Sequence, residues 1–159
     1  RGSCALEALW DCLVGIVLQV LNPGAQRGFA WAAVEELASA LEARGQKVSV
    51  FDLARDDMAE AVEDAFRYDR LVLASITYQG EIFPFMSTFI HTLAEHAYQN
   101  RTVALVEAGS WAPAAAKVMT KELEGMKDIT LTQNKVTVLG SLNDASRAQI
   151  EVLADELSK

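Results

Sequence analysis

The chain has few of the residues that bind metals or nucleic acids. It contains two histidines and two cysteines in 159 residues, and two thiols cannot make a zinc site alone. His91 and His96 lie five positions apart, so on a helix their side chains would point about 140° apart. Lys and Arg number 14 against 22 Asp and Glu, a net charge of −8. We therefore expect no metal site and no nucleic-acid partner.

Reactive and membrane-spanning segments are also lacking. Cys4 and Cys12 do not have the spacing of a redox or zinc pair, and we interpret them as ordinary thiols of a reducing compartment. No Ser-His-Asp or Cys-His set can be assembled, so no catalytic side chain is assigned. The longest strongly apolar stretch, Leu13–Leu21, is too short to cross a bilayer and has no signal-peptide pattern. These features predict a cytoplasmic protein that does not bind membranes.

Apolar runs alternate with segments of helical spacing along the rest of the chain. This alternation predicts an α/β fold, a doubly wound parallel sheet of five strands with helices on both faces. Residues 1–12 are interpreted as an N-terminal extension, natural or left from cloning, and residues 13–159 as one domain. The predicted strands are Leu13–Leu21, Lys47–Leu53, Leu71–Ser75, Thr102–Val106 and Thr130–Leu139, the last interrupted near Gln133-Asn134.

The helix boundaries also have local signals. Asp57, with Glu60 three positions later, and Asn143 are typical helix N-caps. Gly45 predicts the end of the first helix, and Pro84 the first turn of the third.

The loop after the third strand, "SITYQGEIFPFM" at Ser75–Met86, is unusually rich in aromatic and amide groups. Aromatic faces, amides and a glycine that allows close backbone approach suit a flat conjugated ligand with polar edges. The alternative is a helix entry whose apolar residues tuck under the following helix. The candidate ligand contacts are Thr77, Tyr78, Gln79, Gly80, Ile82 and Phe83.

Two further loops are candidates because ligands of doubly wound folds lie at the carboxyl ends of the strands. In "EAGSWAPAAAK", Glu107–Lys117, Gly109 and Ser110 predict a tight turn, and Trp111 should cover a ligand or a neighbouring loop. In "NPGAQRGFA", Asn22–Ala30, Arg27 and Gly28 are expected before a helix whose amides would attract phosphate. A glycine pair before a helix is weak evidence, and no P-loop motif is present. Phosphate binding at this first loop therefore stays open.

From about residue 33 to 159 the chain resembles the C-terminal flavodoxin-like domain of the A-type flavoproteins, or flavodiiron proteins. The stretches that carry the resemblance are "VSVFDL" (Val48–Leu53), "DRLVLASITYQGEIFPFM" (Asp69–Met86), "NRTVALVEAGSWAPAAAKVM" (Asn100–Met119) and "SRAQIEVLADEL" (Ser146–Leu157). The resemblance implies a flavodoxin-like sheet of order 2-1-3-4-5 and non-covalent FMN at the strand ends.

The resemblance also implies where the flavin would be held. Residues 77–80 with Ile82 and Phe83 would flank one side of the isoalloxazine, and Gly109-Ser110-Trp111-Ala112 the other. The chain departs from the family where Ile76 replaces a proline and Glu81 a glycine. The first loop also lacks the family's Tyr-Gly-Asn-Thr-like phosphate run.

The function implied is electron transfer by FMN as part of a larger redox enzyme. A rubredoxin-like or reductase partner would be the donor, and a diiron metallo-β-lactamase-like domain the acceptor. A homodimer is an arrangement that the resemblance allows. This chain has no His-x-Glu-x-Asp-His run and would be the redox module alone. Two alternatives stay open: a scaffold with a degraded phosphate loop that acts only in assembly or interaction, and an NAD(P)H-dependent flavin reductase.

Overall fold

The computed structural model describes residues 13–19, 25–109 and 112–159, and up to residue 29 it describes the backbone alone. Strands and helices alternate along these residues. The strands are β1 (Leu13–Gln19), β2 (Lys47–Asp52), β3 (Arg70–Ile76), β4 (Arg101–Gly109), β5 (Ile129–Leu131) and β6 (Val136–Leu139). The helices are α1 (Ala25–Ala43), α2 (Met58–Arg67), α3 (Pro84–Glu95), α4 (Ala115–Leu123) and α5 (Asp144–Leu157).

The strands form one parallel sheet in the order β2-β1-β3-β4-β5, and β6 also pairs with β4. The fifth position is thus shared by two short strands where the sequence predicted one. β5 pairs with Arg101–Val103 and β6 with Val106–Gly109. The interruption at Gln133-Asn134 is confirmed, and it separates β5 from β6 completely.

Helices cover both faces of the sheet, as the strands' near-continuous apolar sequences require. α1 and α5 pack on one face around Val72, Ala104 and Val136. α2, α3 and α4 pack on the other face around Leu71, Leu73 and Val103. Alternate residues of β3 and β4 therefore enter opposite cores, and neither strand presents a face to water.

The predicted helix ends are confirmed. Asp57 caps α2 by accepting a hydrogen bond from the Ala59 amide, and Asn143 caps α5 by accepting one from the Ser146 amide. Pro84 occupies the first turn of α3. After α1 the Gln46 amide bonds the Leu41 carbonyl and the Gly45 amide bonds the Glu42 carbonyl, which is the Schellman arrangement.

Two predicted boundaries differ from the structure. β4 continues to Gly109, whereas the strand predicted from the sequence ended at Val106. α1 begins at Ala25, so the first candidate loop contributes residues to a helix that was expected further along. None of the helices in the described part is long and apolar enough to cross a membrane.

Candidate functional site

The candidate site lies at the carboxyl edge of the sheet, where β1, β3 and β4 end side by side. β1 stands between β2 and β3, and the direction of winding reverses there. Doubly wound sheets bind ligands at this reversal because the loops on either side turn away from each other and leave a crevice. The loop after β3 is described in full, whereas those after β1 and β4 are described in part.

The loop after β3 opens with a tight two-residue turn. Tyr78 and Glu81 form an antiparallel bridge in which each amide donates to the other's carbonyl at 2.9 Å. Between them Gln79 and Gly80 have φ values of 50° and 79°. Positive φ at both central residues is the property of type I′ turns and suits a glycine at the second position. The turn therefore projects Gln79 and Gly80 beyond the end of the sheet, and both are exposed.

An aromatic pair forms the base of this turn. The rings of Tyr78 and Phe83 are 4.8 Å apart between centroids and 18° from parallel. Tyr78 remains 47% exposed, whereas Phe83 is 7% exposed. One face of the tyrosine is thus braced against a buried ring. A half-exposed aromatic ring with a fixed orientation is suited to stacking against another flat molecule.

Ile82 and Phe83 are buried, so the exposed apolar wall expected from the sequence reduces to Tyr78. Phe83 has extended backbone angles, and consecutive side chains in extended backbone point to opposite sides. Ile82 accordingly joins the core under α3 and α4, while Phe83 joins the core on the α1 and α5 face. For these two side chains the structure corresponds to the alternative interpretation, a helix entry with apolar anchors.

Thr77 connects this loop to the one after β4. Its Oγ1 accepts hydrogen bonds from the amides of Ala114 at 2.8 Å and Ala115 at 3.2 Å. Ala114 is the N-cap residue of α4 and has no side chain to satisfy those amides itself. The Thr77 hydroxyl therefore serves as a cap for another loop's helix, and its amide also donates to the Ala108 carbonyl.

β4 ends at Gly109, which lies against Pro113 of the following loop. A Cβ on Gly109 would come within 3.3 Å of Pro113, a tight contact that a glycine avoids. Ala112 is exposed. The predicted contacts Ser110 and Trp111 lie outside the described residues.

Arg27 and Gly28, expected in a loop before the first helix, lie instead in the first turn of α1. The helix starts two residues after Pro23, and Ala25, Gln26 and Arg27 are all good helix formers. Their backbone amides thus belong to the N-terminal end of a 19-residue helix that follows β1.

Sequence reasoning missed a buried carboxylate at this edge. Glu107 is 2% exposed and accepts hydrogen bonds from the Ala116 amide at 2.9 Å, the Lys135 ammonium at 2.9 Å and the Thr137 hydroxyl at 3.0 Å. It pairs in register with Ser75 of β3, also buried, and with Thr137 of β6. The available signal was a single charge directly after the apolar run Val103–Val106, where a strand can continue if the charge is paired.

The described residues offer no alternative metal centre. Across residues 13–19, 25–109 and 112–159, no group of three or more His, Cys, Asp or Glu side chains is arranged to hold a metal ion. His91 and His96 both lie exposed on or just after α3.

Comparison with solved structures identifies the architecture. Rubredoxin oxygen:oxidoreductase from Desulfovibrio gigas superposes with a TM-score of 0.80 at 17% identity, over 95% of this chain and 37% of that one. The flavodiiron protein from Giardia intestinalis superposes with a TM-score of 0.82 at 13% identity, over 93% of this chain and 36% of that one. An archaeal flavodoxin superposes with a TM-score of 0.75 at 16% identity, over 91% of this chain and 96% of that one. The chain has a flavodoxin-like fold.

These similarities are structural and do not extend to recognisable sequence families. No family model matches the chain, and no curated protein matches it. The chain spans about 37% of the length of the Desulfovibrio gigas protein, so most of that protein has no counterpart here. It spans 96% of the archaeal flavodoxin, so the fold it shares is that of a complete small domain.

Proposed function

We propose that this chain is an FMN-binding electron-transfer domain. The observation that carries the proposal is the half-exposed Tyr78 ring, braced parallel to the buried Phe83 ring at the carboxyl end of β3. The fold is one in which ligands bind at that edge. Bound FMN would supply one- and two-electron transfer, while the protein binds and orients it.

The described residues fit a flat ring system at this edge. The outer face of Tyr78 offers a stacking surface, and the Gln79-Gly80 turn offers backbone and side-chain amides for polar ring edges. Around Gly80 the position of an added Cβ meets nothing within 4 Å, so a ligand can approach the turn closely. Ile82 and Phe83 would act beneath the surface by fixing the loop. Ser110, Trp111 and Ala112 are proposed for the opposite side of the ring on the sequence resemblance.

A phosphate would be received at the N-terminus of α1. The backbone amides that begin this helix, up to that of Arg27, have no partner within the helix, Gly28 follows in the same turn, and the helix dipole favours an anion there. Thr77 would have a positioning role, since it holds the loops after β3 and β4 together through the α4 amides.

The partners follow from the larger proteins with which this fold is shared. We infer that a rubredoxin-like or reductase protein donates electrons. The acceptor would be a diiron metallo-β-lactamase-like domain on another part of the chain, another subunit or a dimer partner. A cytoplasmic location belongs to the same proposal.

One observation favours a second candidate, a scaffold that acts only in assembly or interaction. Tyr78 stacks on Phe83, and Ile82 and Phe83 are already buried, so this loop is packed without a flavin. A site whose phosphate loop had degraded would keep such a loop for stability.

Flavin titration separates the two functions. The purified chain is titrated with FMN and, in parallel, riboflavin while flavin fluorescence is followed. We expect quenching with FMN bound more tightly than riboflavin. The Tyr78→Ala variant should weaken both by about tenfold, the value of one aromatic stack. Arg27→Gln should weaken FMN alone, because riboflavin has no phosphate.

The matched control is Phe85→Ala, which removes another aromatic side chain of similar exposure, 43%, from the α3 helix. It should leave both affinities unchanged. Absence of quenching by either flavin would contradict the flavoprotein proposal and leave the scaffold. Rapid NADPH oxidation by the FMN-loaded chain would instead favour the flavin reductase alternative.

A further inference from the structure

A groove beside α4 is a feature of the described surface that electron transfer leaves unexplained. It has a volume of about 640 Å³, within the range of about 300–1,000 Å³ typical of small-molecule pockets. It is lined by β4, α4 and the segment that joins β5 to β6. Its described lining includes none of residues 77–83, 109 and 112 of the proposed flavin site.

The groove exists because the fifth strand position is broken. β5 ends at Leu131 and β6 begins at Val136, so residues 132–135 leave the sheet beside β4. The bottom of the groove is apolar, because Val103 and Leu105 of β4 are buried beneath it and Leu131 is half-buried at its side. An apolar floor at a gap in a sheet is the type of surface that a ligand's hydrophobic part can cover.

The wall opposite α4 is held in place by hydrogen bonds. The Glu156 carboxylate accepts bonds from the Gln133 amide at 2.7 Å and the Asn134 side-chain amide at 2.8 Å. The Thr132 amide donates to the Val103 carbonyl, and the Thr132 hydroxyl to the Asn134 carbonyl at 2.7 Å. The groove is therefore formed before any ligand arrives, which lowers the entropic cost of binding.

Positive charge is concentrated around this groove. Four of the six lysines in the chain fall between positions 117 and 135, and Lys117, Lys121 and Lys135 line the groove. Lys117 and Lys121 are one helical turn apart and share a face of α4. Neither has an ion-pair partner among the described residues, whereas Lys135 is fixed by the buried Glu107 at 2.9 Å.

Most of the nearby acids already have partners. Glu107 is bound to Lys135, and Glu156 is bound to the amides of the groove wall. Among the described lining residues, Lys117 and Lys121 therefore face one carboxylate, that of Glu124. Hydroxyl and amide groups of Thr120, Thr132 and Gln133 add polar contacts between the lysines and the floor.

We propose that this groove binds a small organic anion with an apolar body. The apolar part would lie on Leu105 and Leu131, and the acidic group would lie between the α4 lysines and Lys135. Lysine ammonium groups on flexible stems suit a compact anionic group because they act as mobile point charges. Lys117 and Lys121 also line a neighbouring pocket that reaches Gly80 and Glu81 of the proposed flavin site, so the two sites must be tested separately.

The test uses 2-naphthoate, an anion with a flat apolar body, and its neutral analogue 2-naphthalenemethanol. Binding to the full chain is followed by amide chemical shifts in nuclear magnetic resonance, with and without saturating FMN. We expect shifts at residues 131–135 and along α4, with naphthoate bound about tenfold more tightly than the alcohol. Raising the salt concentration should weaken naphthoate alone, since exposed charges are screened. FMN should leave the naphthoate affinity unchanged.

Three variants locate the charge that matters. Lys121→Gln and Lys135→Gln should each weaken naphthoate about three- to fivefold. Lys121→Gln breaks no described ion pair, so it tests the charge even if Lys135→Gln disturbs the Glu107 contact. The matched control is Lys127→Gln, which removes an exposed lysine outside the groove and should change nothing.

Three results would overturn the proposal. The first is equal affinity for naphthoate and the alcohol. The second is an equal loss of affinity in Lys127→Gln and Lys121→Gln. The third is displacement of naphthoate by FMN, which would place the anion in the flavin site. Since the groove is measured with and without FMN, loss of flavin binding and loss of groove binding are separately visible.

Discussion

The turn after β3 and the groove beside α4 are built in different ways. The turn is made by consecutive residues: Tyr78 and Glu81 bond each other across Gln79 and Gly80, and Phe83 braces the tyrosine ring. The groove is assembled from segments far apart in the chain, including β4, α4 and the break between β5 and β6. Local patterns can predict the first kind of site, whereas the second depends on which strands become neighbours.

The two regions share one element, the N-terminus of α4. Thr77 accepts hydrogen bonds from the Ala114 and Ala115 amides, and Glu107 accepts one from the Ala116 amide. The loop after β3 and the network beneath the groove thus hold successive amides of the same helix end. Substitutions of Thr77 and Glu107 should show how much stability each acceptor contributes. Thr77 supplies its hydroxyl from the loop after β3, whereas Glu107 supplies a buried carboxylate.

The largest effect is expected from Glu107→Leu. Leucine fills the space but leaves the buried Ala116 amide without its acceptor and removes the bonds to Lys135 and Thr137. We expect a loss of about 3 kcal/mol in the free energy of unfolding, measured by urea denaturation, because buried donors lose their partner.

Glu107→Gln keeps an oxygen acceptor and should lose about half as much as the leucine variant. Glu124→Leu, the same change at an exposed carboxylate on the groove lining, should alter the free energy of unfolding by less than about 0.5 kcal/mol. Equal losses at positions 107 and 124 would show that the buried network contributes nothing.

The next effect is expected from Thr77→Val, which keeps the shape and removes the hydroxyl. Two amides at the start of α4 would lose their acceptor, and loss of a helix cap costs about 1–2 kcal/mol. Urea denaturation of the FMN-free chain measures the loss directly. Thr77→Ser retains the oxygen and should keep most of the stability. If serine and valine are equally destabilising, packing of the methyl group rather than capping would explain Thr77.

Several features of this fold could be predicted from the sequence. The sequence predicted the alternation of strands and helices, the helix caps at Asp57 and Asn143 and the break in the fifth strand position. Each of these depends on local propensity or periodicity. The residue types at the end of β3 also directed attention to the carboxyl edge of the sheet, where the candidate site lies. The sequence could not decide whether Ile82 and Phe83 are buried, because their burial depends on how the start of α3 lies between the two cores.

Glu107 was the most informative failure. A carboxylate after four apolar residues was interpreted as the start of a loop, yet β4 continues through it to Gly109. The partners that make its burial possible, Lys135 and Thr137, are about thirty positions away and could not be paired with it from spacing. The groove depends on long-range arrangement as well: the sequence indicated the break in the fifth strand position, but it could not show that β4 and α4 lie beside that break.

A smaller effect is expected from Gly80→Ala in the turn. Gly80 has φ of 79°, and an alanine held there costs about 1 kcal/mol, since its Cβ crowds the backbone. Gly125 offers a matched control because it too has open space around it and lacks a positive φ. Gly125→Ala should be neutral within about 0.5 kcal/mol. A neutral Gly80→Ala in thermal or urea unfolding would mean that the turn adopts another conformation in solution.

The smallest expected effect concerns Glu156, which holds the groove wall. Burial tends to raise the pKa of its carboxyl, but hydrogen bonds from Asn134 and Gln133 outweigh this, and the pKa lies below its ordinary value of 4.5. A lowered folded-state pKa means that these bonds add stability above the unfolded pKa. That contribution is lost as the pH falls through the folded value.

As the pH falls below about 5, into the range where carboxylates are protonated, the parent chain should therefore lose slightly more stability than Glu156→Gln. The difference should be modest because the carboxylate is largely solvated and screened. The measurement is the urea midpoint at successive pH values, with Glu124→Gln as the control for removal of an exposed carboxylate. If Glu156→Gln and Glu124→Gln show the same dependence of the urea midpoint on pH, the Glu156 carboxylate does not stabilise the groove wall at neutral pH. The groove would then be open to rearrangement, and the contrast with the locally built turn would be sharper than the structure indicates.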